Sequence, residues 1–92
     1  MVEDSLSCWV YRSPRRQEMY LYLAAEDAFD SVPAALLARF GEPILVIELE
    51  LSAQRKLARE DVNTVMSNLR EKGFHLQLPP QLQPDLYHGN QD

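Results

Sequence analysis

Arg12, Arg15 and Arg16 follow closely on Tyr11, and Arg55, Lys56 and Arg59 form a second basic run. Together they hold six of the nine basic residues in a 92-residue chain of formal net charge −5. Cationic groups at this density beside an aromatic ring suit single-stranded RNA, whose phosphates and bases they can hold, or the carboxylates of an acidic protein. The expectation is therefore a partner surface made of these six residues and Tyr11, used first for another protein and alternatively for single-stranded RNA. The competing reading is two solvated loops that pair with nearby acids such as Glu18 and Glu60. The acidic balance argues against duplex DNA, whose affinity rests on many phosphate contacts.

Other residues offer chemistry in weaker patterns. Glu48 and Glu50 stand two apart on one strand face, a spacing that can serve acid–base work or a divalent cation. On the exposed half of a strand such a pair more often keeps the edge soluble. His75 falls on a strand and is expected half-exposed, with no nucleophile that the sequence pairs with it. A small enzyme with its site near Glu48, Glu50 or His75 is the third reading, behind the two binding functions. One cysteine and two distant histidines do not make a zinc site, so no metal is expected. Cys8 lies mid-strand among apolar neighbours and reads as a small buried hydrophobe. Three glycines in all and no Gly-x-Gly-x-x-Gly, Walker or Gly-x-Ser-x-Gly pattern leave no phosphate-cradling loop or nucleophile elbow, and no cofactor is expected.

The elements that must position these residues are legible from periodicity. Leu6, Cys8 and Val10 alternate with Ser7, Trp9 and Tyr11, giving a first strand to Arg12 with bulky residues on both faces. Glu18 to Ala24 is a second strand, and the Ser13–Gln17 link makes the two a hairpin. Tyr20 and Tyr22 would share a face with Trp9 or Tyr11 if register allows. An acidic stretch, 26–31, has room for one helical turn. Val32, Leu36, Leu37 and Phe40 form a helical stripe, with Asp30 or Ser31 as cap, Pro33 in the first turn, and Gly41 then Pro43 as the stop. Ile44 to Leu51 is a third strand, apolar on both faces in its first half, with Glu48 and Glu50 on one face of its second half. Ala58, Val62, Val65, Met66 and Leu69 give the second helix its apolar stripe. Glu60 and Asp61 would sit in its first turn, Arg70 and Lys72 in its last, and Gly73 at its end. Phe74, Leu76 and Leu78 share one face of a fourth strand, which stops at Pro79 and Pro80.

The order β-β-α-β-α-β implies an α/β domain. Two β-α-β units and a hairpin predict a mixed four-stranded sheet, with the β-α-β strands parallel. Apolarity on two faces calls for a helix on each. One domain over residues 6–80 is expected, with a flexible 1–5 and a loosely held tail over 81–92. The absence of a long apolar run or a basic-then-apolar leader predicts a protein without a membrane span, in the cytoplasm.

Several motifs, in this order and spacing, resemble the YcgL family of small proteins found chiefly in gammaproteobacteria. They are Cys8-Trp9-Val10-Tyr11-Arg12-Ser13, Met19-Tyr20-Leu21-Tyr22, Val32-Pro33, Phe40-Gly41, Leu57-Ala58-Arg59-Glu60-Asp61-Val62 and Gly73-Phe74-His75-Leu76-Gln77-Leu78-Pro79-Pro80. The resemblance spans about Cys8 to Pro80. It implies a compact α/β/α sandwich in a bacterial protein of unknown function, and it transfers no catalytic or ligand residue.

Overall fold

The computed structural model describes residues 5–80. The order is β1 (Ser5–Arg12), β2 (Tyr20–Leu23), a 3-10 turn (Phe29–Ser31), α1 (Ala34–Phe40), β3 (Ile44–Ser52), α2 (Val62–Lys72) and β4 (Phe74–Gln77). The expected one-turn helix in the acidic stretch is the 3-10 turn. The expectations for 1–4 and 81–92 lie outside the described residues. Ser5 already belongs to β1 and pairs with Ser52.

The four strands form one sheet in the order β3-β1-β2-β4. Every neighbouring pair is antiparallel, which corrects the expected mixed sheet. The reason is strand placement. β2 and β3 do point the same way, but β1 lies between them, so the α1 connection joins strands that are not neighbours. The α2 connection crosses the whole sheet and lays β4 antiparallel on β2.

Both faces are covered. Cys8, Val10, Tyr22 and Leu51 meet Val62, Val65, Met66 and Leu69 of α2 on one side. Tyr11, Leu21 and Leu23 meet Val32 and Phe40 on the other, with Leu36, Leu37, Phe74, Leu76 and Leu78 around them. The layering is therefore that of an α/β/α sandwich. Register decides which aromatics share a face. Tyr22 stands opposite Val10 and Tyr20 opposite Arg12, so both lie on the α2 side, away from Trp9 and Tyr11. Tyr22 is buried there, not bare to solvent.

Three local expectations change. α2 begins at Val62, because Asp61 caps it by accepting from the Thr64 backbone N–H at 3.1 Å and the Thr64 hydroxyl at 2.9 Å. Ala58 and Glu60 thus precede the helix. α1 begins after Pro33, and neither Asp30 nor Ser31 caps it. The first half of β3 is not buried: Ile44 to Ile47 are exposed, from 37% at Ile44 to 50% at Val46. β3 is an edge strand, and α1 is only seven residues long, so neither layer reaches this corner. The stop at Gly73 is as expected, with φ 90° and ψ −6°. A Cβ there would also lie 2.9 Å from Ser31.

Candidate functional site

The hairpin loop between β1 and β2 is built around Ser13, which is buried. Its hydroxyl donates to the Phe40 carbonyl at 2.5 Å and accepts from the backbone N–H groups of Arg15 and Arg16, each at 3.0 Å. Its own N–H donates to the Met19 carbonyl at 3.0 Å. A side-chain oxygen that gathers the next amides in this way fixes a turn locally, and here it also ties the loop to the end of α1. Arg15 adds a second tie, donating from Nη1 to the Ala38 carbonyl at 3.2 Å. Its methylenes lie over Gly41, where a Cβ would come within 3.0 Å of Cγ. Gly41 has φ 88°, so this close approach needs glycine on both counts.

The loop, α1 and β4 enclose a cleft of about 300 Å³. Met19, Leu36, Leu76 and Leu78 line it as an apolar floor, and Arg16 and Arg39 stand at its rim. Both arginines are exposed, and neither has a carboxylate partner among the described residues. Guanidinium groups over apolar side chains can hold a carboxylate whose neighbour is aliphatic or aromatic. Ser13 and Arg39 were not singled out from the sequence. A Ser-Pro pair just before two arginines is a turn signal that points to Ser13, whereas nothing local points to Arg39.

The other predicted binding residues separate. Arg12 ends β1 and is exposed. Tyr11 is 2% exposed. Its hydroxyl donates to Asp27 Oδ1 at 3.0 Å and accepts from the Asp27 N–H at 2.8 Å. Arg59 pairs with Glu18 at 2.6 Å, so it touches the hairpin loop with its charge already matched. The Arg55 N–H donates to the Ser52 carbonyl, and Ser52 pairs with Ser5, seven residues along β1 from Arg12. At ~3.4 Å per residue that is roughly 24 Å from the loop. Arg55 and Lys56 line a second cleft, of about 250 Å³, shared with Glu60 and Asp61. Two cations and two carboxylates line it, so it favours neither sign of ligand.

His75 is 8% exposed, not half-exposed as expected. Its Nε2 lies 2.6 Å from Glu60 Oε1 and its Nδ1 lies 2.9 Å from Asn68 Nδ2. With the Asn68 amide donating to Nδ1, the ring proton sits on Nε2 and is given to Glu60. Tyr22 stacks edge-on against the ring at 5.5 Å and donates its hydroxyl to Gln77 Oε1 at 2.8 Å. The set is a fully paired polar seam beneath α2. No Ser, Thr or Cys side chain among the described residues hydrogen-bonds His75. Glu48 and Glu50 lie on β3, three strand spacings from β4, or roughly 14 Å, and do not join His75 in one site. Replacing Glu60 with Ala leaves a buried N–H unpaired and is expected to cost about 1–3 kcal/mol in urea unfolding. Glu60→Gln, which keeps an acceptor, is expected to cost less.

No group of three or more His, Cys, Asp or Glu among the described residues is placed to hold a metal ion. No helix among them is long and apolar enough to cross a membrane.

A small antiparallel sheet with a helix on each face and an arginine-rimmed cleft defines the class: a small α/β/α domain. The YcgL domain matches residues 8–80, and the chain belongs to that family. It is 53% identical over 73 residues to a YcgL domain-containing protein of Azotobacter vinelandii, covering 79% of this chain and 75% of that one. It is 52% identical over 75 residues to one from Stutzerimonas stutzeri, covering 82% and 77%. A third, from Pseudomonas savastanoi pv. phaseolicola, is 51% identical over 73 residues, covering 79% and 75%.

Proposed function

We propose that the protein is a non-enzymatic interaction module of the cytoplasm that holds an acidic segment of another protein at the hairpin cleft. The supporting observation is the Ser13-organised loop, which presents Arg16 beside Arg39 over four apolar side chains. A site already held in shape loses little entropy on binding. The segment it suits carries Asp or Glu next to a Leu, Phe or similar residue. RNA finds less support, since Tyr11 lies in the core and Tyr22 lies under α2, so neither ring is free for a base to stack on.

Selection from a displayed library of short peptides is the test. The parent is expected to enrich acidic residues adjoining aliphatic or aromatic ones, with binding that weakens as salt rises. Arg16→Glu/Arg39→Glu is expected to lose that enrichment while melting at the parent temperature. The same peptides recovered by both proteins would remove the cleft from the function.

A further inference from the structure

The outer edge of β3 is the least protected part of the fold. Ile44, Leu45, Val46 and Ile47 are the exposed large hydrophobic residues among those described. They lie side by side on a strand whose other edge alone is paired among the described residues, with β1. An open edge presents a row of backbone donors and acceptors, and a run of exposed aliphatics beside it is a template for another strand. Val10 stands opposite Ile47 and Tyr11 opposite Leu45, so Val46 is an extra residue, a bulge. From Ile47 to Ser52 the register is unbroken, and this half of the edge can carry a regular ladder.

Charge decides what the edge accepts. Glu42, Glu48 and Glu50 flank the aliphatic run, all exposed and none with a cationic partner among the described residues. A second copy of the chain fits badly. Along the regular half of the edge, antiparallel two-fold pairing with Leu49 opposite its own copy sets Glu48 against the copy's Glu50. Pairing with Glu48 opposite itself sets that carboxylate against its own copy. Like charges directly opposite each other on strands repel, and each copy brings a net charge of −5. Glu48 and Glu50 share one face of the strand, and Ile47 and Leu49 share the other. The complement is a strand whose lysines or arginines alternate with aliphatic residues.

We infer that the β3 edge is a docking site for an extended segment of a partner protein with alternating basic and aliphatic residues, added as a fifth strand. The ladder supplies affinity and the alternate side chains supply selectivity. The acids serve both ends: they bar the chain's own copy and admit the basic strand. This surface is separate from the arginine-rimmed cleft and takes a partner of opposite charge.

The probe is a fluorescent, end-blocked Lys-Val-Lys-Val-Lys-Val peptide titrated against the full chain, with polarisation as the readout. Four controls accompany it: a Lys-Lys-Lys-Val-Val-Val peptide, a Glu-Val-Glu-Val-Glu-Val peptide, and the Glu48→Lys/Glu50→Lys and Arg16→Glu/Arg39→Glu variants. The alternating basic peptide is expected to bind saturably and to slow amide exchange along Ile47–Ser52. The double variant, whose changes are at exposed positions, is expected to weaken it by roughly tenfold or more. Arg16→Glu/Arg39→Glu is expected to bind it as the parent does, which separates this site from the cleft. Equal binding of the block peptide would reduce the effect to net charge and overturn the proposal. So would unchanged binding by the double variant, or sedimentation showing that the edge is already taken up by a second copy.

Discussion

Val65→Asp is expected to leave no folded domain at room temperature. Val65 is fully buried, and it meets the sheet among Val62, Met66, Leu69, Cys8, Val10, Tyr22 and Leu51. The change removes an aliphatic side chain worth roughly 1.5–3 kcal/mol on burial. It also places a carboxylate in the apolar layer between α2 and the sheet, and the effective cost of burying an unpaired charge is several kcal/mol more. Against a total stability of about 5–15 kcal/mol for a domain of this kind, the sum is most or all of what holds the chain together. Asn63→Asp, on the exposed face of the same helix, is the matched control. It adds the same charge in the first turn, where the helix dipole favours it, and is expected to shift stability by less than about 1 kcal/mol. Circular dichroism and thermal melting decide the outcome. A Val65→Asp protein that melts with the parent would show that α2 does not cover the sheet through this face.

The part of the fold legible from sequence was the part written in local pattern. The stripe Val62-Val65-Met66-Leu69 and the stop at Gly73 follow from periodicity and backbone strain, and the structure has both. The sheet's order was not legible, because alternation says which face of a strand is apolar and nothing about which strand lies beside it. β2-α1-β3 has the spelling of a parallel unit, yet β1 occupies the place between its strands. The aliphatic run Ile44–Ile47 reads as doubly buried for the same reason: pattern marks what can be buried, and only the reach of α1 and the edge position leave it exposed. His75 reads as half-exposed because its partners, Glu60 and Asn68, come from distant positions. Once Asp61 takes the cap, Glu60 is released from the helix and turns inward to the ring. Of the cleft, Arg16 was legible as a loop arginine. Arg39 was not, since it becomes part of the site only when Ser13 binds the Phe40 carbonyl and draws α1 against the hairpin.

Raising the pH is expected to unfold the protein well before its arginines titrate, and to do so through Cys8 and Tyr22. Burial pushes the Cys8 thiol up from 9.0 to about 11. Burial, reinforced by the charge of Glu60, pushes the Tyr22 phenol up from 10.0 to about 12. Tyr11 is raised in the same direction, again by burial. At neutral pH each group is protonated in both states, so its contribution to stability is complete there. Above that, the unfolded chain releases the proton first and the folded chain holds it. Stability therefore falls as pH rises, between about 9 and 11 for Cys8 and between about 10 and 12 for Tyr22. The two losses run in the same direction and overlap in pH, so they add. Urea midpoints measured in steps from neutral pH upward are expected to hold level to pH 9 and then drop. Tyr22→Phe removes one titrating group, so its midpoint, lower at neutral pH because Gln77 loses its donor, is expected to decline less steeply above pH 10. Midpoints that stay level through pH 11 would mean that the thiol and the phenol ionise in the folded protein as freely as in water, and that neither lies in the dry layer between the sheet and α2.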